Sequence, residues 1–269
     1  MLVLPAPTKC TVEGGVHNIL LRSHLMTEAV AAAADDRPAP RAIVLDCGSV
    51  TNPDCGHGNE AVAAAMGVSP EDARKGHKAA WKLAKKDPTF TSYWSHAFEV
   101  AGVPEADRTV ERAAACEAAL GAALSQTYND TLETVLLAKA AAAESGSLLV
   151  IGMISNHITA PPLFEYCAQG ARLHELVTAP SLLVVSQSVG LAKPDPAIFR
   201  LWRERLTVLG PPFSEISVQE CLFLDDKPEN VAAAVAEGWQ SDVYNASHAV
   251  PGALAALLRS RGVALLAPT

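Results

Sequence analysis

A chain of 269 residues can hold one large domain, or a core with a smaller insert. Hydrophobic residues make up 49%, much of it alanine, so the expected core is ample and helix-rich rather than aromatic. A net charge of −8 with no basic cluster argues against nucleic acid and anionic membrane as partners, and no apolar run approaches the roughly 18 residues of a membrane span.

The first 40 residues read as an extension. Ile19 to Ala34 has helical pattern, and Asp35-Asp36-Arg37-Pro38-Ala39-Pro40 reads as a linker. An organellar transit peptide would be richer in Arg and Ser and would avoid Glu13 and Glu28, so a helical extension packed on the domain is the expectation. The cysteines at 10, 47, 55, 116, 167 and 221 show no paired metal spacing and lie in apolar or Ala-rich settings. They predict reduced, buried thiols in a cytoplasmic protein.

Ala42-Ile43-Val44-Leu45 is a short apolar run that ends in Asp46 and the small-residue turn Cys47-Gly48-Ser49. A buried parallel strand delivers one acid to the carboxyl edge of a sheet in this way, where open α/β folds place their ligands. Thr51 to Gly58 is a loop, and helical pattern then runs without a convincing strand from Asn59 to Glu144. Ser69-Pro70-Glu71-Asp72 is a helix start with a capping Ser, Pro at the first position and an acid three residues on. Pro104-Glu105 predicts the opening of a long Ala-rich helix to Thr127, and Asn129-Asp130 starts another. So much helix between two parallel strands exceeds an ordinary crossover and predicts an inserted helical lid, with Trp81 to Phe98 in its core.

From Ser147 the period changes. Leu148 to Ile154 reads as a buried strand ending in Ser155-Asn156, and Leu182 to Val185 as a third strand. Gly190 to Pro196 is a loop carrying Lys193 into a helix from Ala197, and Cys221 to Leu224 is a strand ending in Asp225-Asp226. A helix from Pro228 to Gly238, a strand at Asp242 to Tyr244 and a helix from Gly252 to Arg259 complete the chain. The expected fold is α/β: a doubly wound, Rossmann-like parallel sheet over 41–51 and 145–269, an all-helical cap over 52–144, and an extension over 1–40.

Four strand ends or loops thus offer Asp46, Ser155-Asn156, Lys193 and Asp225-Asp226. Singly each has a plain reading as a cap, a turn or a solvated acid. All four in order favour phosphoryl chemistry. Asp46 is a carboxylate able to attack phosphorus. Two carboxylates about 4 Å apart repel by roughly 4 kcal/mol at an effective dielectric near 20, so Asp46 beside Asp225 invites a divalent cation, and an all-oxygen site suits Mg²⁺. Ser155 can hydrogen-bond a phosphate oxygen, Lys193 supplies positive charge, and the backbone amides of Cys47-Gly48-Ser49 are expected to form an anion nest.

On these residues the chain resembles the haloacid dehalogenase (HAD) superfamily, in the subclass with a helical cap inserted after the first motif (subfamily IA). The match is to Asp46-Cys47-Gly48-Ser49-Val50, Ile154-Ser155-Asn156, Gly190-Leu191-Ala192-Lys193-Pro194-Asp195-Pro196, and Phe223-Leu224-Asp225-Asp226-Lys227-Pro228-Glu229-Asn230-Val231. The resemblance covers residues 41 to 250 and implies a Mg²⁺-dependent hydrolase of a small phosphorylated metabolite. Asp46 would be the nucleophile, and Ser155, Asn156 and Lys193 would hold the phosphate. Asp46, the backbone carbonyl of Gly48 and Asp225 would ligate the metal, supported by Asp226 and Asn230.

The pattern departs at Gly48, where most phosphatases of that superfamily carry a second Asp that protonates the leaving oxygen. Such help is worth roughly 10² to 10⁴ in rate. A branch similar to sugar-phosphate phosphatases and to the phosphatase domain of epoxide hydrolases carries Gly there. Asp54, His57 and His96 are candidate replacements. The alternatives are a scarcely active relative that binds a phosphorylated ligand or protein partner, and carbon–halogen hydrolysis, which needs no metal. Oligomeric state is not legible in the sequence.

Overall fold

The structure, a computed structural model, describes residues 37–54 and 59–267. The expected helix over 19–34, Cys10, Cys55 and His57 lie outside the described residues.

The strands are β1 (Ala42–Leu45), β2 (Val150–Ser155), β3 (Leu183–Val185), β4 (Cys221–Asp225) and β5 (Gln240–Val243). They form one parallel sheet in the order β3-β2-β1-β4-β5. The central strand β1 is apolar and buried throughout, as a strand covered on both faces must be. Alternation sorts the side chains into two cores: Ile43, Leu45, Ile151, Met153, Leu222 and Leu224 face one way, and Ala42, Val44, Val150, Ile154, Cys221 and Phe223 the other. Leu45 pairs with Leu224, so the next residues along the two strands, Asp46 and Asp225, emerge side by side at the carboxyl edge.

Between β1 and β2 the described chain is helical: α1 (Asn59–Met66), α2 (Pro70–Ala84), α3 (Tyr93–Val100), α4 (Val110–Leu124) and α5 (Asn129–Glu144). The apolar cluster on the first face of the sheet continues into these helices through Val62, Met66, Tyr93, Phe98 and Leu120. Ser69 caps α2 as its sequence predicts, its hydroxyl accepting from the Asp72 N–H. The helix expected from Pro104 begins later. A 3₁₀ turn at Glu105–Asp107 comes first, and Thr109 then accepts from the Arg112 N–H to start α4. A side chain able to satisfy an orphan N–H sets the start more firmly than a Pro that merely fits one.

After β2 come α6 (Leu163–Gly170), α7 (Leu173–Leu176), the single turn α8 (Ser186–Val189), α9 (Pro196–Val208), α10 (Pro228–Ala236) and α11 (Ala253–Ser260). The turn α8 was not expected from the sequence. A Cβ on Gly152 would meet the Trp202 ring at 2.4 Å, so only glycine lets α9 lie this close to β2.

Candidate active site

Asp46, Ser155, Asn156, Lys193, Asp225 and Asp226 each stand at the end of a strand or in a loop, and Asn230 joins them from the first turn of α10. Lys193 is the hub. Its ammonium donates to Asp46 Oδ1 at 2.7 Å, to Asp225 Oδ2 at 2.6 Å and to the Ile154 carbonyl at 2.7 Å. Three donors thus meet three acceptors, and the Lys193 and Asp225 side chains are fully buried. Asp46 Oδ1 also accepts from the Cys47 N–H at 2.7 Å, which leaves Oδ2 as the oxygen with no donor among the described residues. Asp225 Oδ1 is held by the Lys227 N–H and by Asn230 Nδ2, both at 2.9 Å.

Burial pushes the Asp46 carboxyl up to about 6; Lys193 pulls it down and Asp225 adds to the rise. Asp226 is likewise raised, first by burial. Carboxylate oxygens of Asp46, Asp225 and Asp226 lie within 4.8 Å of one another, and the buried Asp226 Oδ1 has no hydrogen-bond partner among the described residues. Among the described residues, Lys193 is the one side-chain cation hydrogen-bonded within this group of three acids. A hard divalent cation fits such a donor set, which is all oxygen, short of positive charge and carries an unsatisfied buried acceptor. Asp226, expected as a support, therefore stands as directly in the cluster as Asp46 and Asp225.

Asn156, expected against the phosphate, lines the same cavity as Asp46, Ser155 and Lys193, and its side chain is engaged with the backbone of Lys193, donating to the carbonyl and accepting from the N–H, both at 2.8 Å. It positions Lys193. The expected nest of amides is reduced, because the Cys47 N–H is taken by Asp46 and the Ser49 N–H by the Asn52 carbonyl at 2.7 Å. Ser155 is buried at the end of β2 and lines the cavity. Cys47 is buried in the first apolar cluster, its thiol 3.5 Å from Asn52 Oδ1, as strand alternation predicts.

A cavity of about 510 Å³ is lined by Asp46 and by residues of α2. Trp81, expected in the core of the helical insert, packs against that core and also lines this cavity, with its ring edge-on to His157 at 4.8 Å; Tyr93, Trp94 and Phe98 are core residues as expected. His157 and His77 also line the cavity, and burial pushes both imidazoles down to about 4, so both are neutral near pH 7. A Cβ on Gly48 would lie 3.8 Å from Asp54 Oδ1, so the Asp54 carboxylate approaches the place that a side chain at 48 would enter. His96 instead packs beside Phe90.

Sequence reasoning missed Asn52. Fully buried, it donates to the carbonyls of Leu124, Gln126 and Cys167 at 3.2, 2.8 and 3.2 Å and accepts from Thr51 Oγ1 at 2.8 Å. No local pattern marks an Asn whose partners lie in other elements. It also missed the cavity face of α2, where Arg74, His77, Lys78 and Trp81, with Lys85 just beyond, recur at helical spacing.

No family model and no curated protein matches the chain. Solved structures do. A HAD family enzyme from Bacteroides thetaiotaomicron superposes with a TM-score of 0.55 at 17% identity, over 78% of this chain and 96% of that one. The same enzyme in complex with magnesium and inorganic phosphate gives 0.52 at 17% identity, with the same 78% and 96% coverage. L-2-haloacid dehalogenase from Xanthobacter autotrophicus, with chloropropionic acid covalently bound, gives 0.50 at 20% identity over 84% of each chain. At these identities the shared property is the fold, and the chain has the α/β fold of HAD enzymes.

Proposed function

We propose that this chain is a HAD-superfamily hydrolase that removes phosphate from a small phosphorylated metabolite, with Asp46 as the nucleophile. The observation that carries this reading is the buried oxygen of Asp226, without a hydrogen-bond partner among the described residues, inside a cluster of three carboxylates in which Lys193 is the ammonium bonded directly to Asp46 and Asp225. Carbon–halogen hydrolysis, which needs no metal, gives no reason to hold a third acid in this cluster with one oxygen buried and unbonded.

Asp46, Asp225, Asp226 and the backbone carbonyl of Gly48 are the groups that would hold Mg²⁺, which when bound offsets carboxylate repulsion and polarises phosphate oxygens. Lys193 keeps positive charge beside the reacting atoms and fixes Asp46 through Oδ1, so that Oδ2 is the attacking oxygen. Attack forms the Asp46 oxygen–phosphorus bond and breaks the ester oxygen–phosphorus bond, giving an aspartyl-phosphate and an alkoxide that must take up a proton. Gly48 has none to give. Asp54, whose carboxylate stands over that position, protonates the leaving oxygen and then accepts a proton from the water that cleaves the aspartyl-phosphate.

The test is hydrolysis of an aryl phosphate by the full chain with Mg²⁺ and after chelation. Turnover is expected only with the metal, and Asp46→Asn should abolish it. Turnover of a 2-haloacid that survives chelation, with no release from the aryl phosphate, would overturn the reading in favour of dehalogenation.

A further inference from the structure

From the cavity face of α2 we infer a second anion-binding subsite: Arg74, Lys78 and Lys85 select phosphomonoesters that carry another anionic group, a carboxylate or a second phosphate, away from the ester. The inference rests on the reading of Asp46 as the phosphoryl acceptor and deepens it to a substrate class.

The three faces of α2 differ in chemistry. Ala73, Gly76, Ala80 and Ala84 are buried in the helical insert. Lys75 points to solvent and pairs there with Glu71 and Asp72. The third face lines the cavity, and its cations form no ion pair among the described residues. Lys85 is held below its ordinary range by burial and by repulsion from Lys86, Lys227 and Lys82. Lys227, also in the cavity, adjoins Asp225 and Asp226 at the sheet edge and donates its N–H to Asp225, whereas Arg74, Lys78 and Lys85 stand on or just beyond α2 with no acid bonded to them among the described residues.

In a chain of net charge −8, this cavity wall presents the exposed Arg74 and Lys78 and the half-buried Lys85, three cations without an ion-pair partner among the described residues, to whatever ligand enters. The transferred phosphate already has Lys193 and Lys227 of the sheet edge in the same cavity, so the α2 cations are left for a further anion. A ligand with a neutral tail would cover these cations and strip their water with nothing in return. A second anion restores the balance with charge-assisted hydrogen bonds. Between the two charged ends the wall is Trp81 with the neutral rings of His77 and His157, suited to a short uncharged spacer.

The experiment compares kcat/KM within matched pairs: 3-phosphoglycerate against glycerol 3-phosphate, and fructose 1,6-bisphosphate against fructose 6-phosphate. The doubly anionic member is expected to win by about tenfold or more in at least one pair, and which pair responds tells carboxylate from phosphate. Added salt should shrink the preference. The double variant Arg74→Gln, Lys78→Gln should bring the ratio close to one, while Lys75→Gln on the solvent face should keep it. A wild-type ratio near one in both pairs, or a ratio that survives the double variant, overturns the subsite. Calorimetric binding of the same compounds to Asp46→Asn separates the two claims. If wild type hydrolyses nothing, a binding preference lost on adding Arg74→Gln and Lys78→Gln upholds the subsite against the failed hydrolase reading, and equal binding rejects it.

Discussion

Asp54 is the residue on which the protonation step turns. Asp54→Asn should lower kcat on an alkyl phosphate by roughly 10² to 10⁴ and affect a nitrophenyl ester, whose oxygen leaves unaided, much less. A steady-state comparison of the two esters checks this; equal losses on both would make Asp54 a binding residue. His157 carries a prediction about acid stability. Its folded imidazole sits near 4 against an ordinary 6.5, so between those values the unfolded chain binds more protons and stability falls as pH falls. The loss from this group between about pH 7 and about pH 5 is about 2 kcal/mol. Asp46, pushed up to about 6, works in the opposite sense over the same range, so the readout is the difference between wild type and His157→Gln in urea unfolding at the two pH values. The variant should show the smaller acid loss. Asp46, Lys193 and Asp225 were legible in the sequence because each follows an apolar run or a turn that leaves little choice of where it emerges. Asn156 was legible as a site residue but not in its task, since its partner is the backbone of a loop that arrives 37 residues later.

At the scale of elements, α2 does two jobs, and a single residue separates them. A Cβ on Gly76 would meet the Ala97 carbonyl oxygen at 2.2 Å, so α2 lies against α3 only because the side chain is missing. Gly76→Ala should destabilise the fold by about 1 to 3 kcal/mol and displace the cationic face, raising KM more than it lowers kcat. Thermal melts and kinetics on the same preparation check both parts. Helix and strand identities were readable from period alone, and the four strand ends with them. The cationic face of α2 was readable in principle from its spacing, but which face meets a cavity depends on packing that no local pattern encodes. The late start of α4 shows the same limit on a smaller scale: Pro104 and Thr109 both look like beginnings, and the bond that one of them makes decides.

At the scale of the whole molecule, the parallel sheet gathers chemistry from distant parts of the chain, and the helical insert shares a core with one face of it. Asn52 is where that sharing is fastened. One carboxamide reaches backbone carbonyls 72, 74 and 115 residues away. The full set cannot exist until α4 and α6 have both docked beside the first strand, so the complete knot is expected to be tied late in folding and to loosen early in unfolding. Asn52→Ala should accordingly hasten escape from the native state while leaving the speed of its formation nearly untouched, a split that stopped-flow traces in denaturant would expose. The lifetime of the assembled catalyst, more than the ease of making it, is what this buried amide governs.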